Sequence, residues 1–359
     1  MKIGLIGLPK TGKTTIFNAL TGMEIEVSAY SLGDTEPNQS VINVMDERIT
    51  KLSAMYNPKK TVYATIEYVD FAGVTKSNKK QELMSGQGMV LLKSSDALAL
   101  VVRNFSDSVL DEMHGAVDPF GDVDTIETEM IISDLLIAEK RLEKIELSYK
   151  RGIKTPALQI EEKAIYAIIS HLNEEKPIRT LELPEEEEKA IRGFQFVSQK
   201  PLLVILNSDE NNYNENSELL ASLREKYPTL EFAGKFEMEL NGLDDEEREE
   251  FMQDMGITTS ARDALTKFSY DILGYISFFT VGTDEVRAWT IINGDNSVEA
   301  AGKIHSDLAR GFIRAECFGY DDLMKFGSEK TVKDKGLFRL EGKTYIVQDG
   351  DILNIRFNV

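Results

Sequence analysis

Gly7-Leu8-Pro9-Lys10-Thr11-Gly12-Lys13-Thr14 fits the pattern G-x-x-x-x-G-K-[ST], a spacing suited to gripping a polyphosphate. The glycines let backbone N–H groups turn inward around phosphate oxygens, and a helix that starts there adds the partial positive charge of its N-terminus. In that chemistry Lys13 reaches the β and γ phosphates and the Thr14 hydroxyl holds Mg²⁺, with Gly7, Lys10, Thr11, Gly12 and Thr15 lining the same pocket. A magnesium-dependent site also needs a carboxylate at the end of a neighbouring strand. Asp70, in Val69-Asp70-Phe71-Ala72-Gly73, supplies it as the first residue of D-x-x-G, and the Gly73 N–H is placed to meet the γ-phosphate. The next residue is Val74, which cannot orient an attacking water, so hydrolysis is either very slow or uses a polar group from elsewhere.

The elements around these residues are those the mechanism requires. Residues 2–6 (KIGLI) read as a strand and residues 14–20 (TTIFNAL) carry apolar side chains at helical spacing, so the glycine loop joins strand to helix. Runs at 65–70 (TIEYVD), 97–103 (ALALVVR) and 201–207 (PLLVILN) are short, rich in branched aliphatics and bounded by polar segments. They predict buried strands of a mostly parallel sheet in an α/β nucleotide-binding domain. Between the last two lies a charge-laced helical region in which Ile126, Met130, Ser133, Ile137, Leu142 and Ile145 trace one stripe. Ala157, Ile160, Ala164, Ile168 and Leu172 trace another after a break at Gly152 and Pro156, and the pair predicts an inserted antiparallel helical hairpin. Glu185 to Glu188 follow Pro184, where negative charge suits a helix start. Short alternating segments at 276–280, 285–292, 313–318, 338–340, 345–347 and 352–357, with a turn at Asp349-Gly350, predict a small C-terminal α+β domain. The expected division is residues 1–121 with 200–275, residues 122–199, and residues 276–359.

Composition bounds the partners. The chain has 359 residues, 42% hydrophobic, enough for more than one core, and no apolar run of membrane-span length. Its N-terminus MKIGLIGL passes straight into the glycine loop without the features of an export signal, so cytoplasmic residence is expected. With 61 acidic against 41 basic residues the net charge is −20, which excludes attraction to nucleic acid over the whole surface and leaves only local RNA contact. The single cysteine, Cys317, cannot form an internal disulfide and reads as a packed residue.

The chain resembles the YchF/Obg-like ATPase family along all three parts. GLPKTGKTTIFNAL is similar to that family's GLPNVGKSTLFNAL, TEPN at 35–38 to its switch segment, and NSDE at 207–210 to its N-x-x-E. EEREEFMQDMGI at 246–257 also fits, and EVRAWT, AAGKIHSDLARGFIRAE, YDDL and LEGKTYIVQDGDILNIRFNV resemble its TGS domain, which implies a C-terminal β-grasp fold. The resemblance implies ATP at least as readily as GTP, because guanine recognition uses the aspartate of N-K-x-D and Glu210 stands at that position beside Asn207. Ala233-Gly234-Lys235 stands where a serine-alanine-lysine motif closes the base pocket, with the serine lost. It further implies that His114, in Asp-Glu-Met-His-Gly, replaces the missing glutamine in positioning water, and that the hairpin and TGS-like domain carry a ribosome or RNA contact.

Two residues depart from the family. Lys10 replaces an asparagine that helps hold a monovalent cation, and its ammonium is expected to take the cation's place. In switch I the family's threonine aligns with Asp34, and Thr35 follows; Thr35 is taken as the metal ligand, with Asp34 through water, or a switch that closes differently, as the alternatives. The expected activity is a slow, magnesium-dependent ATPase switch. The rivals are a GTP-specific translation GTPase and a scaffold that binds nucleotide without turnover.

Overall fold

A strand buried along its whole length must lie inside a sheet covered on both faces. The runs 97–104 and 202–208 are of that kind. The structure, a computed structural model, describes residues 1–23, 25, 38–71, 86–254 and 260–358. Of residues 86–88, 91, 113, 114, 245, 249, 251, 253, 254 and 261 it describes the backbone alone. The strands are β1 (Lys2–Ile6), β2 (Asn38–Asn43), β3 (Lys60–Val62), β4 (Thr65–Asp70), β5 (Ala97–Asn104), β6 (Leu202–Ser208), β7 (Thr229–Phe232), β8 (Tyr275–Thr280), β9 (Glu285–Ile292), β10 (Phe312–Gly319), β11 (Arg339–Glu341) and β12 (Asp351–Phe357). They form two sheets, ordered β2-β4-β1-β5-β6-β7 and β11-β10-β12-β8-β9-β3. The helices include α1 (Lys13–Thr21), α2 (Glu47–Tyr56), α3 (Gly86–Ser94), α4 (Ser108–His114), α5 (Pro119–Lys150), α6 (Pro156–Asn173), α7 (Glu185–Ile191), α8 (Ser217–Arg224) and α9 (Gly234–Asn241). The chain divides into two compact units, Met1–Val41 with Glu67–Arg262, and Ile42–Ile66 with Asp263–Val359.

In the first unit β4, β1, β5, β6 and β7 run parallel, as the apolar runs predict. Leu98, Leu100 and Val102 of β5 and Leu202, Val204 and Leu206 of β6 pack one face against Val123, Ile126 and Met130 of α5 and Leu220 and Leu223 of α8. The hairpin is α5 and α6. Asp118 caps α5 ahead of Pro119, Gly152 turns the chain at φ 78, and Thr155 caps α6 ahead of Pro156. The predicted stripe on α5 is buried at both ends, at Ile126 and Met130 and again at Ile145, and shifts in between. Ile126 and Met130 face the sheet, after which burial passes to Ile131, Asp134 and Ala138, which face Ala164, Ile165 and Ile168 of α6. One helix of 32 residues serves two partners, so its apolar surface widens, and Ile137 and Leu142 pack half-buried beside the hairpin core. The four glutamates from 185 form the first turn of α7.

In the second unit β8 and β9 form an antiparallel hairpin, the helix Ser297–Ile304 follows with a capping box between Asn296 and Glu299, and β12 inserts between β8, parallel, and β10, antiparallel. This is the expected β-grasp. Residues 345–347 make only a single bridge, from Ile346 to Asn296, rather than a strand. The sequence reading contains no β3, which pairs with β9 through Lys60–Glu285, Thr61–Val286 and Val62–Arg287 and carries residues 42–66 into this unit. Cys317 is fully buried, and burial pushes its thiol up to about 12, which suits packing and not nucleophilic chemistry. No helix among the described residues is long and apolar enough to cross a membrane.

The buried charge that sets the base of the hairpin is Asp134. It has no exposed surface and accepts the backbone N–H groups of Val197 at 3.1 Å and Ser198 at 2.7 Å, where the chain returns to enter β6. Burial raises its carboxyl, although both N–H bonds act in the opposite direction. Asp134→Ala leaves two buried donors without acceptors, a cost of about 2 to 4 kcal/mol. Amide exchange at Val197 and Ser198 is expected to accelerate roughly tenfold or more in that variant; unchanged protection would show that the pair does not anchor the hairpin.

Candidate active site

Ligands in an open parallel sheet meet the carboxyl ends of its strands. The register sets Leu5 of β1 beside Asp70 of β4 and Ile6 beside Leu100 of β5, so the loop after Ile6 and the Asp70 carboxylate leave the sheet side by side. Gly7 has φ 147 and Gly12 has φ 91. A β-carbon on Gly7 would stand 2.4 Å from the Val101 carbonyl oxygen, and one on Gly12 would stand 2.2 Å from Asn207 Nδ2. Neither position admits a side chain. Lys10 is exposed and also lies in the left-handed region, at φ 65, which for a residue with a β-carbon costs on the order of 1 kcal/mol. Thr11 is buried and its hydroxyl donates to the Leu8 carbonyl at 3.1 Å, bracing the loop from within.

At the N-terminus of α1, Gly12 is the capping residue with no side chain to occupy the free N–H groups. Lys13 is buried, and its ammonium donates to the carbonyls of Gly7 at 2.9 Å and Leu8 at 2.6 Å, which centres a positive charge under the loop. The Thr14 hydroxyl donates to Asp70 Oδ2 at 2.9 Å, and Asp70 has no exposed surface. A hydroxyl and a carboxylate oxygen held together are hard donors, the set that Mg²⁺ takes from a protein while phosphate and water fill its other positions. The residues present therefore fit that ion.

Asn207 is nine-tenths buried at the end of β6. Its Nδ2 donates to the Thr11 carbonyl at 2.9 Å, and its Oδ1 accepts the Gly234 N–H at 3.2 Å. These two bonds tie the phosphate loop to the start of α9, a bracing role beside the nucleotide-binding one expected of Asn207. Gly234 lies against α1, where an added β-carbon would stand 3.2 Å from Ile16 and 3.4 Å from Thr15. Ala233 is buried at the end of β7, while Glu210 and Lys235 are exposed. Gly7, Thr11, Gly12, Lys13, Thr14, Thr15, Asp70, Asn207, Ala233 and Gly234 are thus gathered at one end of the sheet.

His114 ends α4, and its side chain lies outside the described residues, as do Asp34, Thr35, Gly73 and Val74. What anchors the His114 loop was not foreseen. Arg103, buried at the end of β5, donates to Asp111 at 2.8 Å and to the carbonyl of Gly115, the residue after His114, at 2.8 Å. The Ser106 hydroxyl and Arg103 hold the Asp111 carboxyl below the usual carboxylate range. The signal in the sequence is an arginine closing an otherwise apolar strand, ALALVVR.

Comparison with known proteins agrees with this architecture. Residues 2–132 match the family described as 50S ribosome-binding GTPase, and residues 275–358 match the C-terminal family of YchF GTPases, described as a protein of unknown function (DUF933). The chain is 38% identical to the ribosome-binding ATPase YchF of Bacillus subtilis, covering 99% of both chains. It is 35% identical to the protein of that name from Escherichia coli O157:H7, over 100% of this chain and 99% of that one. The solved structure of the Schizosaccharomyces pombe YchF GTPase superposes with a TM-score of 0.84 at 28% identity, over 99% of this chain and 97% of that one. On the phosphate loop, the strand-end aspartate, the C-terminal β-grasp and full-length identity to several of its members, the chain belongs to the YchF family.

Proposed function

We propose that this protein is a cytoplasmic nucleotide switch that binds ATP with Mg²⁺, hydrolyses the γ-phosphate slowly and acts on the ribosome. The observation that carries this reading is the Thr14 hydroxyl hydrogen-bonded at 2.9 Å to the buried Asp70 carboxylate, at the mouth of a loop that excludes side chains at residues 7 and 12. Backbone N–H groups of the loop and the N-terminus of α1 would hold the phosphates. Lys13 would exchange its two carbonyl partners for β and γ phosphate oxygens, with Thr14, Asp70 and Thr35 holding the metal. Mg²⁺ bound there would supply neutralisation of the negative charge that builds on the phosphates. The water oxygen attacks phosphorus in line as the bond to the β-phosphate oxygen breaks, with His114 orienting the water and the Gly73 N–H at the γ-phosphate.

Base preference rests on Glu210, whose extra methylene displaces the carboxylate that would meet guanine. The curated relatives are named ATPases and the solved fission-yeast relative is titled a GTPase, so GTP is the second reading. The switch segments around Thr35 and Gly73 would carry nucleotide state to α5–α6 and to the TGS-like domain, the surfaces proposed for ribosomal RNA or protein contact. With a net charge of −20, such contact must use local patches.

Three outcomes test the reading. Lys13→Ala is expected to lower ATP turnover by roughly a hundredfold or more in a phosphate-release assay; turnover near wild type removes Lys13 from the mechanism. Glu210→Asp is expected to improve GTP affinity relative to ATP by about tenfold in competition for a labelled nucleotide, and an unmoved ratio leaves base choice to other residues. If the Lys10 ammonium replaces a monovalent cation, turnover is equal in potassium and sodium buffers; a strong potassium requirement contradicts that assignment.

A further inference from the structure

A buried carboxylate that serves neither the phosphates nor the metal lies behind the segment proposed to read the base. Glu231, on β7, is 8% exposed. Its Oε1 accepts the Ser208 hydroxyl at 2.6 Å and Asn216 Nδ2 at 2.6 Å, and its Oε2 accepts the Asn214 N–H at 3.2 Å. Ser208 in turn accepts Asn104 Nδ2 at 2.9 Å, and the Asn104 carbonyl accepts Asn212 Nδ2 at 3.1 Å. The network joins the ends of β5, β6 and β7 to the turn at 209–216, which carries Glu210 and begins one residue after Ser208.

Two further features show that this turn is held and not merely covered. Asn214 has φ 67, a left-handed conformation that costs a residue with a β-carbon on the order of 1 kcal/mol, and its N–H is the one Glu231 accepts. Asp209 caps the same turn, accepting the N–H groups of Asn211 at 2.8 Å and Asn212 at 3.3 Å. The Glu210 side chain, on the same turn, is exposed. Glu231 thus fixes a strained turn whose first residues project from the edge of the nucleotide site, while Asn207 fixes the phosphate loop separately through Thr11.

We infer that Glu231 is a positioning residue for nucleobase recognition: its carboxylate holds the 209–216 turn in the one conformation that presents Glu210 to the base. It does not touch the base. The inference rests on the functional reading above and divides the site in two, with phosphate affinity independent of Glu231 and base-dependent affinity governed by it. Glu231→Gln is the informative change, because the amide keeps the shape while turning a donor toward the donors of Asn214 or Asn216. Asn216→Ala removes a single arm and serves if the first variant does not fold.

The experiment compares full-length wild type, Glu231→Gln and Asn216→Ala for binding of ATP, GTP and inorganic tripolyphosphate, and for KM and kcat with ATP. The expected result is a loss of about tenfold in ATP affinity with a smaller loss for GTP, tripolyphosphate affinity within about twofold of wild type, and a raised KM for ATP at unchanged kcat. Removing one negative charge acts on all three ligands through the triphosphate, so the tripolyphosphate arm separates that effect from loss of base contact. Nucleotide affinities equal to wild type, or a parallel loss for tripolyphosphate, overturn the assignment. Wild type that takes up neither nucleotide overturns the functional reading and this inference with it, whereas wild type that binds beside unchanged variants overturns this inference alone.

Discussion

A β-carbon at residue 12 would be strained at φ 91 and would stand 2.2 Å from Asn207 Nδ2, and the site is organised around that close approach. Asn207 reaches so near because it donates to the Thr11 carbonyl, which fixes the loop against the end of β6. The same amide accepts from Gly234 and so ties α9 to the loop. Gly7 meets the same demand at the other end of the loop, against the Val101 carbonyl of β5. Two glycines and one asparagine therefore set the concavity, and Lys13 and Thr14 are placed by the helix that begins immediately after it.

Stability and function are divided between different parts of this unit. The sheet interior supplies the driving force, with β5 and β6 buried along their whole length between helices. That rigidity lets the ends of the strands carry features that cost energy: a left-handed Lys10, a left-handed Asn214, and buried charges at Lys13, Asp70, Arg103 and Glu231. Each described buried charge has partners close by, from the carbonyls around Lys13 to the hydroxyl and amides around Glu231. The hairpin begins on this sheet, since the first turns of α5 pack on β5 and β6 before the helix leaves for α6. A shift in the strand ends would thus reach α5 through contacts already present.

Much of this was legible from residue types and spacing. The phosphate loop is written in a contiguous octapeptide, the strands in short branched-aliphatic runs, and the hairpin in two periodic stripes with Pro156 and Gly152 between them. The missed parts are those that sequence distance hides. Asn207 bonds Thr11 across 196 positions and Glu231 bonds Ser208 across 23, so neither bracing role has a local signature. Three residues, KTV, are too few for periodicity to mark β3, which is a strand only because β9 accepts it. The α5 stripe missed Ile131, Asp134 and Ala138 because a single period assumes a single partner, and this helix has two.

The account stands on the loop from Gly7 to Thr14 as a receptor for polyphosphate whose metal is held by Thr14 and Asp70. Titration of the full-length chain with ATP, ADP, GTP and GDP, each with and without Mg²⁺, measures that directly. The account predicts uptake of nucleotide, with triphosphate binding tightened roughly tenfold or more by Mg²⁺. Absence of measurable binding by all four, or triphosphate affinity indifferent to Mg²⁺, would contradict it.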